Sequence, residues 1–194
     1  MKKNLMFLVA LFISVSMNAQ VQTLGGENFT SGGYGGPVSK VGLVHGNPVL
    51  FSGGRGAWII NHKLALGGGS YSMVTDLKTS EISNNEKPLF MDLNYGGFEM
   101  EYIFNYEKLV HLTVHSMFGG GTLRLLEHNP TMTINNDKIF MVEPSLNIDV
   151  NINSWVRIGV GASYRYSIGL DIAGMSSSDI NGFSGLITFK FGSF

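Results

Sequence analysis

Two histidines and a serine in "HLTVHS", His111, His115 and Ser116, are the residues of this 194-residue chain with the spacing that most resembles catalytic or metal-binding chemistry. A serine with a histidine in hydrogen-bonding reach could hydrolyse an acyl bond, and two histidines on one face could begin a metal site. A second group consists of ionisable residues of both signs: Arg55, Glu99, Glu101, Glu143, Asp149, Arg157, Arg165 and Lys190, with Lys40. Gathered in one place, they could line a conduction path or neutralise one another. The absence of cysteine removes thiolate catalysis, disulfides and thiolate metal ligation. The near balance of 13 Lys plus Arg against 14 Asp plus Glu gives no basic stripe for nucleic acid, so no nucleic-acid partner is expected.

Which of these residues can meet depends on the elements that carry them, and those read as strands. In "FMVEPSLNIDV", Val142, Leu146, Ile148 and Val150 hold one parity and Glu143, Ser145, Asn147 and Asp149 the other. The same alternation sets Phe98, Met100, Tyr102 and Phe104 against Tyr95, Glu99 and Glu101, and Leu112, Val114 and Phe118 against His111, Thr113 and His115. It also sets Val156, Val160, Tyr164 and Tyr166 against Arg157, Ser163 and Arg165. Eight segments qualify: Tyr34 to His45, Val49 to Ile60, Leu64 to Val74, Met91 to Phe104, Leu109 to Leu123, Ile139 to Ile152, Trp155 to Tyr166, and Phe183 to Phe191. Most are long enough for the roughly 9–11 residues that a tilted strand needs to cross hydrocarbon. Tight connections, "NHK", "NYEK" and "NINS", alternate with long polar ones at Thr75 to Phe90, Arg124 to Lys138 and Ser167 to Gly182. Only the first connection, "HGNP", is short where a long one is expected.

A soluble secreted barrel with an internal ligand would alternate in the same way, with its apolar face inward. Three features favour the reverse arrangement. The strands exceed globular length, the polar faces carry both signs of charge, and aromatics collect near the strand ends on the apolar parity. Trp58, Tyr102, Phe104, Phe189 and Phe191 stand at the short-turn side, and Phe118, Tyr164 and Tyr166 at the long-loop side, as two girdles at bilayer interfaces would. The expected fold is therefore all-β, an eight-stranded antiparallel up-and-down transmembrane β-barrel in the bacterial outer membrane, with lipid as its surroundings. The apolar parity faces lipid and the charges face the lumen. An unpaired sheet edge is costly in hydrocarbon, so the first strand must pair with the last. Pro144, on the lipid parity, lacks a ladder donor and predicts a bulge or a rim position.

The opening "MKKNLMFLVALFISVSMNAQ" has two lysines, an apolar run too short to span a membrane, and a small-residue end, the layout of a secretory signal. The expected organisation is a cleaved signal peptide at 1–19, a short periplasmic segment at 20–33 and the barrel at 34–194. The glycine clusters, among 26 glycines, do not continue into Gly-Lys-Ser/Thr and open no helix. They fit barrel curvature and space for large neighbours.

The stretches "SGGYGGPVSKVG", "GGRGAWIINHKLALGGGSY" and "GLITFKFGSF", with the signal ending "NAQ", resemble the small outer-membrane β-barrel proteins of Bacteroidota within the OmpA-like and OmpX-like class. The resemblance spans the whole mature chain and implies architecture rather than activity. It implies a C-terminal signal read by the barrel-assembly machinery, which Phe189 and Phe191 fit, while Phe194 falls on the opposite parity.

Placed on strands, the reactive candidates separate. His115 and Ser116 are adjacent and point to opposite faces, so the lipid-side Ser–His pair that an outer-membrane lipid A deacylase would require is not formed. His111 and His115 share a face about 13 Å apart along a strand, too far for one ion. Arg55, Glu99, Glu101, His111, His115, Glu143, Asp149, Arg157, Arg165 and Lys190 are expected to form a polar network that fills the lumen, because eight strands enclose room for side chains only. The chain is read as non-enzymatic and without cofactor, acting in envelope integrity or surface interaction through its long loops, with an unknown surface ligand. Transport or lipid modification is the alternative.

Overall fold

The computed structural model describes residues 29–82, 88–128, 131–170, 172 and 175–194. The signal peptide expected at 1–19 lies outside the described residues, as does most of the 20–33 segment. Nine strands follow: β1 (Ser31–Val44), β2 (Asn47–Ile60), β3 (Leu64–Met73), β4 (Leu77–Ile82), β5 (Pro88–Ile103), β6 (Val110–His128), β7 (Thr131–Asn151), β8 (Val156–Ile168) and β9 (Gly182–Ser193), with one helical turn α1 (Ser177–Ile180) before the last. All pairings are antiparallel, in the order β3-β2-β1-β9-β8-β7-β6-β5-β4, and β3 also pairs with β5. That last pairing, Leu64↔Tyr102 through Ser72↔Asn94, closes eight strands into an up-and-down barrel. The first and last strands meet from Gly33↔Ser193 to Gly42↔Ser184.

The wall is polarised as the alternation demands. In β7, Glu143, Ser145, Asn147 and Asp149 are buried in the interior, while Leu146 and Ile148 on the other parity are 53% and 50% exposed. Across the barrel the exposed large apolar residues occupy the outer parity: Phe98, Met100 and Tyr102 on β5, Leu112, Val114 and Phe118 on β6, Val160, Tyr164 and Tyr166 on β8. Charges inside and hydrocarbon outside invert the arrangement of a water-soluble barrel and give a wall suited to lipid.

Several details differ from the sequence expectation. The long polar connection expected at Arg124 to Lys138 is largely ladder: β6 and β7 continue through Leu123↔Asp137 and Arg124↔Asn136 to His128↔Thr131, with an irregularity at Leu125/Leu126. Leu123, Leu125 and Glu127 stay buried, so the alternation extends beyond the apolar belt while the outer positions turn polar. The connection expected at Thr75 to Phe90 contains β4, which pairs with β5 and lies outside the closed barrel. The connection at Ser167 to Gly182 holds α1, whose Ile180 is fully buried. The short "HGNP" connection is a two-residue hairpin with His45 and Gly46 both at positive φ, the backbone that tight β-hairpins require.

Pro144 produces neither a bulge nor a rim position. It sits inside β7 opposite Ser116, and the ladder to β8 lapses between Val142↔Tyr166 and Ser145↔Ser163 at unchanged register. The β1–β9 ladder lapses in the same way around Pro37, between Gly35↔Phe191 and Val38↔Thr188. Each proline withholds one donor, and the neighbouring rungs hold the register.

Candidate functional site in the barrel interior

Every residue expected in the lumenal network is buried: Arg55, Glu99, Glu101, His111, His115, Glu143, Asp149, Arg157, Arg165 and Lys190. Inward parity puts them there, and the closed wall brings together residues far apart in sequence. Nearest the short-turn end, Lys190 Nζ lies 2.6 Å from both Glu101 Oε1 and Asp149 Oδ2. Arg55 Nη2 reaches Glu101 Oε2 at 3.4 Å, and the Tyr34 hydroxyl donates to the same oxygen at 3.4 Å. One carboxylate thus gathers two cations and a phenol. His111 Nδ1 stands 3.3 Å from the Lys108 carbonyl at the barrel end.

One level deeper, the Tyr71 hydroxyl donates to Glu99 Oε1 at 2.5 Å. His115 Nε2 lies 3.3 Å from Glu99 Oε2, close enough for attraction but not aligned as a hydrogen bond, and its Nδ1 is 3.1 Å from Ser145 Oγ. Beside them Lys40 Nζ donates to Glu143 Oε2 at 2.8 Å, and Ser163 Oγ donates to Glu143 Oε1 at 2.6 Å. The Lys40 ammonium also sits 3.4 Å from the centre of the Tyr71 ring, a cation–π arrangement that keeps a buried charge solvated by protein.

Glycines make this packing fit. A Cβ on Gly69 would collide with the Glu99 carboxylate, one on Gly159 with Asp149 Oδ1, and one on Gly161 with Asn147 Oδ1. Side chains from neighbouring strands lie across these bare stretches of backbone.

The long-loop half differs from a uniformly polar lumen. There the interior is apolar: Val44, Val49, Phe51, Leu93, Met117, Leu123, Leu125 and Met141 pack with Ile172 and Ile180 from the β8–β9 connection. Arg165 is the cation embedded in it. Its Nε donates to the Ile180 carbonyl at 2.7 Å and its Nη2 to the Leu43 carbonyl at 2.9 Å, with the guanidinium carbon 4.6 Å from the Phe51 ring centre. Arg165 therefore ties the connection to β1. At the opposite end the Arg157 guanidinium lies 3.9 Å from the centre of the Phe194 ring, which stacks on Tyr34 at 6.2 Å. The off-parity Phe194 has turned inward beneath the lumen.

The histidines and the serine of "HLTVHS" are not brought together. His115 is interior, while Ser116 belongs to the outer parity and pairs with Pro144. Among the described residues no group of three or more His, Cys, Asp or Glu could hold a metal ion. His111 and His115 go to different partners. On the outer wall Trp58, Tyr102, Phe104, Phe118, Tyr164, Tyr166 and Phe191 are exposed, and Phe189 is half-buried. Trp58 Nε1 donates to Ser31 Oγ at 2.7 Å. The interior residues that the sequence reading did not place there include Tyr34 and Tyr71. Tyr34 shares the parity of Lys40 on β1, a signal that could have found it, whereas β3 carries no charged residue to label the inward side of Tyr71.

No family model matches the chain, and no curated protein matches it significantly. Solved structures do. Neisserial surface protein A superposes with a TM-score of 0.54 at 11% identity, covering 86% of this chain and 99% of that one. Ail, the attachment invasion locus protein of Yersinia pestis, gives 0.51 at 12% identity over 84% and 97%. The same Yersinia protein in complex with the heparin analogue sucrose octasulfate gives 0.50 at 12% identity. At these identities the likeness establishes a shared fold, the small eight-stranded barrel.

Proposed function

We propose that this chain is a non-enzymatic outer-membrane β-barrel of the small OmpA-like and OmpX-like kind found in Bacteroidota. It is exported by a signal peptide at residues 1–19 and assembled by the barrel-assembly machinery. What supports this reading is the interior, with buried ion pairs in the short-turn half and an apolar cluster that includes Ile172 and Ile180 in the other. A barrel of this bore, occupied by its own side chains, offers neither a path for solutes nor a lumenal binding site. What it offers is the two ends and the outer wall.

The outer aromatics Trp58, Tyr102, Phe104, Phe189 and Phe191 form the girdle near the short turns, and Phe118, Tyr164 and Tyr166 the opposite one. With the start of β1 and the end of β9 at the short-turn end, that end faces the periplasm and the extended β5–β6–β7 ladder stands outside the cell. Envelope integrity or surface interaction through these extracellular ends is the role that follows. The names of the structural neighbours, a surface protein and an attachment protein, agree with it.

The test combines three measurements. Unboiled protein from the membrane fraction migrates differently from boiled protein, protease added to intact cells cuts only in 74–90, 124–138 and 167–182, and the purified barrel gives no unitary conductance in planar bilayers. A soluble protein without heat-dependent mobility overturns the membrane assignment. Reproducible conductance steps overturn the filled lumen and favour transport.

A further inference from the structure

We infer that the short-turn end of β5 carries a binding site for the phosphoethanolamine head of a glycerophospholipid, a proposal that rests on the membrane reading above. The turns β2–β3 and β5–β6 enclose a recess of about 270 Å³ whose lining includes Lys63, Lys108, Glu107 and Tyr106 together with Tyr102 and Phe104. Its walls are fixed. The His62 and Tyr106 rings stack at 4.8 Å with 15° between their planes, joining the two turns. Ile103 N donates to the Lys63 carbonyl at 2.7 Å, and Lys108 N donates to the Asn105 carbonyl at 2.9 Å. A recess built before its ligand arrives loses little freedom on binding.

The recess is continuous with the apolar wall. Phe98, Met100 and Tyr102 on β5, continued by Phe104 just past its end, form one exposed outward row that leads into it, so acyl chains packed along this row deliver a head group to the lysines. The charges specify which head group fits. Lys63 and Lys108 suit the phosphate, and Glu107, which lines the same recess, suits a cation. An ammonium can donate hydrogen bonds to Glu107, whereas choline has no N–H to donate and glycerol has no positive charge. Two lysines reaching independently for the interface would attract any phosphate equally, so head-group selectivity separates a built site from simple interfacial anchoring.

The full barrel is reconstituted into vesicles holding equal amounts of phosphatidylethanolamine, phosphatidylglycerol and phosphatidylcholine with identical acyl chains. It is then gently extracted, and the retained lipid is counted by native mass spectrometry. Phosphatidylethanolamine adducts are expected to exceed phosphatidylcholine adducts by about threefold, the scale of one exposed charge contact. The K63A/K108A variant is expected to lose the adducts, and Glu107→Gln to lose the preference while retaining lipid. Heat-dependent mobility confirms that each variant is folded. Equal retention of the three lipids, or a preference unchanged in E107Q, overturns the site while leaving the membrane barrel standing. A barrel that does not enter vesicles at all overturns both.

Discussion

Lys40 and Glu143 meet across the lumen, Nζ to Oε2 at 2.8 Å, although β1 and β7 are separated in the sheet by β9 and β8. The pair therefore braces the barrel through its middle instead of reinforcing a ladder that already exists. Both groups are almost completely buried, and the remaining Glu143 oxygen is satisfied by Ser163. Removing one partner leaves an uncompensated buried charge, so Lys40→Met or Glu143→Leu alone should destabilise the refolded barrel by about 3–5 kcal/mol. Replacing both together should recover most of that loss. The measurement is the urea midpoint of unfolding, followed by the mobility shift between boiled and unboiled protein. Additive single effects would mean that the two side chains do not act as a pair.

Gly161 and Gly185 stand in adjacent rungs of the β8–β9 ladder, Gly161 opposite Leu186 and Gly185 opposite Ala162, but on opposite faces of the wall. A Cβ on Gly161 would enter the space of Asn147 Oδ1 and the Leu146 carbonyl, whereas a Cβ on Gly185 would meet nothing within 4 Å. Gly161→Ala should lower stability by about 1–3 kcal/mol through overpacking. Gly185→Ala should leave it unchanged or slightly raised by stiffening the unfolded chain. Equal midpoints for the two variants would show that Asn147 can move aside at no cost.

The parity of Glu143 and Asp149 against Leu146 and Ile148 was enough to read the strand, its two faces and the polar content of the short-turn half. Periodicity carries that information directly, because one face is buried and the other is not. It did not reveal that Leu93, Met117 and Leu123 turn the other half of the interior apolar. Those residues share the inward parity with the charges, but an apolar residue on either face of a strand carries no label of its own. The β6–β7 extension was hidden for a related reason: beyond the belt its outer residues, Thr122 and Arg124, are as polar as a loop's. The individual ion pairs were beyond reach, since Lys40 and Glu143 are 103 positions apart and their meeting depends on closure. Phe194 gave a legible warning through its broken parity, and its inward turn explains the exception.

The β8–β9 connection is held to the β1–β2 hairpin through Asp179. Its carboxylate accepts from Ser176 N at 2.7 Å and Ser176 Oγ at 3.0 Å, and lies 3.2 Å from His45 Nδ1. The Ser176 amide, followed by its hydroxyl and His45, holds the Asp179 carboxyl below the usual aspartate range. A depressed folded value means the stabilisation is complete above the unfolded pKa and disappears as pH falls through the folded one. The connection should thus stay docked at neutral pH and loosen only as pH drops below the ordinary aspartate range. Asp179→Asn should loosen it at pH 7 by about 0.5–2 kcal/mol, the scale of a lost helix cap. Hydrogen exchange at amides 175–181, compared between neutral and acidic buffer, reads this out. Exchange that is independent of pH over that range would remove Asp179 as the fastening.

Phe194 lies under the lumen against Arg157 and Tyr34, while Phe191 remains on the outer wall beside Trp155 at 6.3 Å. The two terminal aromatics therefore have separable effects. Phe194→Ala should assemble normally and lose about 1–2 kcal/mol, the combined scale of a cation–π and an aromatic contact. It should also admit water to the Lys190, Glu101 and Asp149 cluster, visible as faster labelling of a Thr188→Cys probe by a small water-soluble thiol reagent. Phe191→Ala should leave that labelling unchanged and instead reduce the amount of protein reaching the membrane, because it alters the outward aromatic row of the closing strand. If Phe194→Ala depresses membrane yield and leaves labelling alone, the inward ring is not a closure of the short-turn end, and the last residue belongs to the assembly signal after all.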